Sequence, residues 1–197
     1  LQTIRNIPIR FVDHIESNKH IMLLYEDLES AKLVMFRFIK NGLINGEDCL
    51  YITEEDSGSI VIGMLTYGIP LQYFQNKQLR VLQISKRYGN RNEILSSCKK
   101  DMDMFMTNLQ KPFRIVSRIV PNIDTEERIS AELELEELVH NTFDDIGGSI
   151  LCPYDISKIE QKKRKQWLDE LHKNHHAVIY VPESGDGGVF LPSLNSI

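Results

Sequence analysis

Short continuous apolar runs alternate with stretches of helical apolar spacing along most of this chain, and no other feature constrains its fold as strongly. His20-Ile21-Met22-Leu23-Leu24-Tyr25 reads as a strand covered on both faces, because no polar residue interrupts it. Leu28, Ala31, Met35, Phe38 and Ile39 then recur at helical spacing, and Asn41-Gly42 reads as the helix stop. Asp48 to Thr53 gives a second strand, a short helix runs from Ser59 to Tyr67, and Leu79 to Ile84 gives a third strand.

The second half repeats the pattern. Ile94, Cys98, Met102, Phe105, Met106 and Leu109 mark one face of a long helix stopped by Pro112. Phe113 to Val120 is β-rich. Asp124 with Glu127 resembles a capping box opening a helix that carries Ile129, Leu133, Leu138 and Val139. Gly148 to Cys152 reads as a strand, and Ser157 with Glu160 as the capping box of a helix containing Trp167, Leu168 and Leu171. His175 to Val181 closes the series, with Val189-Phe190-Leu191 as a candidate edge strand. About six alternations predict an α/β fold, a mostly parallel sheet with helices on both faces and right-handed crossovers. One domain over residues 14–182 is expected, with an N-terminal arm over 1–13 and a tail or edge strand over 183–197.

A net charge of −5 argues against direct nucleic-acid binding, which needs a Lys/Arg excess. The run Lys162-Lys163-Arg164-Lys165 reads as a solvated helix face. Cys49, Cys98 and Cys152 have no paired spacing, so they suggest neither a disulfide framework nor a zinc ribbon, but buried thiols of a cytoplasmic protein. No apolar stretch approaches the roughly 20 residues that cross a bilayer. The opening Leu1-Gln2-Thr3-Ile4-Arg5 lacks the layout of a signal peptide.

In open α/β sheets, ligands bind beyond the carboxyl ends of the strands. Those ends carry Tyr25-Glu26-Asp27, Glu54-Glu55-Asp56 and Pro153-Tyr154-Asp155. A phosphate loop would need G-x-x-x-x-G-K-[ST] after the first strand. Here Lys32 falls on the lysine position, but both glycines are replaced and Leu33 offers no hydroxyl. Glu26, Asp27 and Glu29 surround the helix start and would repel a triphosphate. Glu54-Glu55 reads either as a base or metal-holding pair or as a solvated turn. The run from Phe113 to Val120 holds no carboxylate for magnesium, so hydrolysis by the usual route is not expected. His175-His176 has no ligand partners at metal spacing and reads as structural, and no metal site is expected. His20 reads as a core histidine or a ligand contact, and no nearby histidine in sequence makes Cys152 a nucleophile.

The run His20 to Asp27, the segment Phe38 to Ile52 with its Gly42-Leu43-Ile44-Asn45-Gly46-Glu47 turn, and Cys152-Pro153-Tyr154-Asp155 together resemble the MEDS sensory domain of methanogen and methylotroph regulators. The resemblance covers roughly residues 14–181 and implies a RecA-like three-layer fold related to KaiC. It also implies a sensor of small organic molecules. The expectation is therefore a non-enzymatic cytoplasmic sensory module without a cofactor, acting on a signalling or regulatory protein partner or as a homo-oligomer. Its ligand-binding residues would be His20, Tyr25, Glu26, Lys32, Tyr51, Glu54, Glu55, Cys152, Tyr154 and Asp155. Two alternatives stand beside it: a divergent KaiC-like protein binding ATP with magnesium through Lys32 and Glu54-Glu55, and a regulatory subunit working through protein contacts.

Overall fold

In the computed structural model, which describes residues 7–16, 18–118, 120, 123–159, 161–183 and 187–191, β1 (His20–Tyr25) lies deep inside a seven-stranded sheet. The sheet order is β3-β2-β4-β5-β1-β6-β7, with β2 at Asp48–Thr53, β3 at Leu79–Gln83, β4 at Phe113–Val116, β5 at Gly148–Asp155, β6 at Ala177–Val181 and β7 at Gly188–Phe190. All pairings are parallel except β6 with β7, whose antiparallel contact forms one edge.

Strand alternation divides the core in two. Ile21, Leu23 and Tyr25 face α1 (Ile7–Asp13), α2 (Leu28–Ile44) and α3 (Ser57–Thr66), with the short α4 (Gln72–Gln75) at the border. Met22 and Leu24 face α5 (Arg91–Met106), α6 (Glu126–Asn141), α7 (Phe143–Ile146) and α8 (Gln161–Lys173). The result is the expected three-layer α/β architecture. No described helix is long and apolar enough to cross a membrane.

Several local readings shift. α2 does not stop at Asn41-Gly42 but runs to Ile44, and the left-handed residue is Gly46 (φ +79°). Gly42 is internal because a Cβ there would lie 2.6 Å from Arg114 Cδ. Nothing lies within 4 Å of the corresponding point on Gly46, so only its backbone demands glycine. Gly46→Ala is therefore expected to lower stability by roughly 1–2 kcal/mol, measured by urea unfolding.

α5 begins earlier than the apolar face suggests, at a full capping box between Asn90 and Glu93. Thr125 rather than Asp124 caps α6, and Asp124 pairs with Arg128 instead. β4 ends at Val116, whereas β5 continues through Pro153 to Asp155. Proline is tolerated there because β4 pairs with β5 only as far as Leu151. The 3-10 turn Ile156–Lys158 is capped by Asp155, which accepts from Ser157 N. Glu160, residues 1–6, Ile119 and most of the C-terminal tail lie outside the described residues.

The face of α6 also departs from expectation. Leu138 is exposed, while Glu132 and Glu136 are buried with Ala131 and Leu135. Carboxylates replace apolar side chains at the inner positions, so they must find partners inside the protein.

Candidate functional site

At the carboxyl ends of the strands lies a small cleft of about 110 Å³, lined by Tyr25, Tyr51, Glu54, Glu55 and Arg118 among others. Its polar groups are engaged with one another. Lys32 Nζ lies 2.8 Å from Glu55 and 3.2 Å from Glu29, Arg118 pairs with Glu54 at 3.2 Å, and Asp27 caps α2 by accepting from Ser30 N. Burial pushes the Tyr25 phenol up to about 12, and the buried Tyr51 hydroxyl donates to the Met35 sulfur. Glu26 accepts from Tyr180 Oη and from Glu183 N, which ties β1 to the end of β6. The helix start is thus occupied by the protein's own carboxylate, and Lys32 by two carboxylates.

The opposite face of the sheet is built differently. There α5 and α6 roof a cavity of about 280 Å³. Ile52, Ile115 and Ile150 from the strands and Met102, Met106 and Leu135 from the helices make it largely apolar. One wall is polar, with His20, Ser117, Glu132, Glu136 and Cys152. Ser117 Oγ is buried and has no hydrogen-bond partner among the described residues.

Behind that wall His20, Glu136, Cys152 and His175 converge, with one donor atom from each inside a 4.8 Å span and all four residues buried. Parallel pairing of β1 with β5 brings His20 beside Ile150 and Met22 beside Cys152. His20 Nε2 consequently lies 3.4 Å from Cys152 Sγ and 3.0 Å from Glu136 Oε2. His175, placed by the turn after α8, approaches the same oxygen at 3.3 Å.

Tyr154 Oη lies 2.8 Å from Glu132 Oε1 and 2.5 Å from Glu136 Oε1. A phenol carries one proton, so two such contacts require a second. It sits on Glu132, whose carboxyl is raised first by burial and then by the neighbouring Glu136 charge. Burial also acts to raise Glu136, but His175, His20 and Tyr154 outweigh it and hold this carboxyl below its ordinary range. Burial, opposed by the Glu136 charge, drives the His175 ring down to about 4, and burial raises the Cys152 thiol.

The model of the MEthanogen/methylotroph, DcmR Sensory domain, MEDS, matches residues 19–176. The chain belongs to the MEDS family. Among solved structures, this MEDS domain is similar to a KaiC-like protein of the hyperthermophilic archaeon Pyrococcus horikoshii (14% identity, TM-score 0.57, covering 90% of this chain and 80% of that one). It is also similar to the flagellar accessory protein FlaH of Methanocaldococcus jannaschii (11% identity, TM-score 0.57, covering 89% and 77%). A further Pyrococcus horikoshii structure aligns at 10% identity with a TM-score of 0.60, covering 94% and 91%. At these identities the likeness establishes the RecA-like fold. No curated protein matches in sequence.

The MEDS fold separates the residues that the sequence groups together. Tyr25, Tyr51, Glu54 and Glu55 meet at the strand-end cleft, with Lys32 joined through Glu55. His20, Cys152 and Tyr154 meet on the other face, and His20 stands at the amino end of β1 rather than its carboxyl end. Glu26 and Asp155 are used in chain connections. Glu132, Glu136, Ser117 and His175 complete the second group and carry no local motif. Their one sequence signal is a glutamate pair four residues apart on the inward face of α6.

Proposed function

We propose that this MEDS chain is a non-enzymatic sensory module whose cavity under α5 and α6 binds a small organic molecule. The observation that carries this reading is a cavity of about 280 Å³, mostly apolar, with the Ser117 hydroxyl, unpartnered among the described residues, set into its wall. Ligand pockets are typically apolar with a few convergent polar groups and occupy roughly 300–1,000 Å³, so this one suits a compact molecule with one polar end. A triphosphate fits poorly at the strand ends, where Glu29 and Glu55 already hold Lys32. Two of the cavity's walls are helices rather than strands, which gives a bound ligand a means of shifting α5 and α6 and so of signalling to a protein partner.

Thermal melts of the protein against a panel of short-chain alcohols, halides, thiols and carboxylic acids, with magnesium-ATP alongside, test this. A ligand present at 100 times its Kd stabilises by about 2.7 kcal/mol and raises Tm accordingly. Ile115→Phe, which sends a ring into the cavity, is expected to abolish that shift. A shift with magnesium-ATP and with no organic compound would overturn the reading, as would a ligand-induced shift that survives in Ile115→Phe.

A further inference from the structure

We propose that His20, Glu136, Cys152 and His175 form a binding site for one divalent transition-metal ion, Zn²⁺ above all, at the wall of the α5–α6 cavity. The four side chains supply two imidazoles, a thiol and a carboxylate, the borderline-soft donors that favour zinc and its neighbours over magnesium or calcium. A tetrahedral ion with bonds of about 2.0–2.3 Å sets its donor atoms about 3.3–3.8 Å apart. The separations here are 3.0 Å from His20 to Glu136, 3.3 Å from His175 to Glu136, 3.4 Å from Cys152 to His20 and 3.9 Å from Cys152 to Glu136. The remaining two separations, from His175 to His20 and to Cys152, lie within the 4.8 Å span of the cluster, so side-chain movements of up to about 1 Å would bring all four onto one ion.

Hydrogen bonding around His175 points the same way. Its Nδ1 lies 2.7 Å from the Leu171 carbonyl, which can only accept, so Nδ1 carries the proton. Nε2 is turned towards the carboxylate of Glu136 and makes no hydrogen bond among the described residues. Facing a carboxylate there, it calls for a positive charge, either a second proton on the ring or a metal ion between the two groups. A backbone carbonyl holding the far ring nitrogen is also the usual outer support of a metal-bound histidine. Tyr154 gives Glu136 the matching support through its other oxygen, leaving Oε2 for the ion.

Binding would release the Cys152 thiol proton to solvent, and the resulting thiolate and the Glu136 carboxylate together would neutralise a doubly charged ion. Because His20, Glu136 and Cys152 also line the cavity, the ion would be reachable from it. The site does not depend on the organic ligand, and the two readings fail separately.

The test uses the untagged, reduced and metal-stripped full chain. Equilibrium dialysis with Zn²⁺ followed by elemental analysis is expected to give about one ion per chain, with a raised Tm. Co²⁺ is expected to give a thiolate-to-metal charge-transfer band and the strong d–d absorption of a tetrahedral centre. Cys152→Ser should remove that band and weaken binding by more than the 10–100-fold typical of losing an outer-sphere partner, whereas Cys49→Ser and His14→Gln should leave both unchanged. If Cys152→Ser does not fold, X-ray absorption of the zinc-loaded wild type reads the ligands directly, with one sulfur near 2.3 Å and nitrogen or oxygen at about 2.0–2.2 Å. Substoichiometric zinc, an ion without sulfur ligation, or a charge-transfer band that survives in Cys152→Ser would overturn the proposal.

Discussion

Glu47→Ala is expected to lower the unfolding free energy by about 3–5 kcal/mol, the cost of leaving a buried charge without its partner. Arg114 on β4 is only 3% exposed, beneath the end of α2. Its guanidinium holds Glu47 in a two-pronged contact, Nε to Oε2 at 2.9 Å and Nη2 to Oε1 at 3.2 Å, and donates through Nη1 to the Phe38 carbonyl at 3.1 Å. The Phe38 ring lies beneath it at 5.0 Å, and Gly42 leaves room for its stem. Alanine at position 47 would remove the only carboxylate in these contacts while the arginine stayed buried. Urea unfolding followed by fluorescence of the buried Trp167 would measure the loss as a fall in midpoint at unchanged slope. A change below about 1 kcal/mol, the range of exposed pairs, would show that water reaches Arg114. Glu47→Leu combined with Arg114→Met should recover most of the stability, because apolar pairs of similar volume often replace buried ion pairs without loss.

Tyr154→Phe is expected to cost about 2–6 kcal/mol, since a buried donor on Glu132 and a buried acceptor on Glu136 each lose a partner at about 1–3 kcal/mol. The Tyr154 hydroxyl bridges Glu132 and Glu136, and its ring packs edge-on against Trp167 at 5.5 Å between centroids. Phenylalanine keeps the ring and removes only the bridge, so the measured loss belongs to the hydroxyl. Unfolding titrations of Tyr154→Phe, Glu132→Leu and the double variant form a cycle. Its coupling energy should be large, because the stranded carboxyl is absent from the double variant. Additive effects would show that the bridge contributes little and that solvent enters beneath α6.

Much of the framework was legible in the chain itself. His20–Tyr25 and Asp48–Thr53 read as strands with the bounds they have, since an unbroken apolar run leaves few alternatives. Helix ends were harder. Asn41-Gly42 and Asn45-Gly46 offer the same stop signal, and the choice fell to Arg114, a residue far along the chain that needs Gly42 inside the helix. A proline favours an ending at Cys152, yet β5 runs three residues further to Asp155, because the early termination of β4 lets Pro153 remain within the strand.

The candidate site divides along the same line. Tyr25, Glu54 and Glu55 could be placed at one sheet edge because each ends or closely follows a strand, and Tyr51 because it lies in the last half of β2, positions that local pattern reveals. The group on the other face could not. His20 and Cys152 are 132 positions apart and become neighbours only because β5 inserts beside β1. Glu132 and Glu136 look like the solvated side of α6 until Tyr154 and the histidines are set opposite them. Periodicity and turn chemistry are local forces, so the sequence by itself determined an alternating α/β chain, the bounds of β1 and β2 and the absence of a phosphate-loop motif. Strand order and the pairing of buried charges are long-range choices. Only the tertiary structure decided that His20, Cys152 and Tyr154 would gather beneath α6, opposite the buried Glu132 and Glu136, and not at the strand ends beside Lys32.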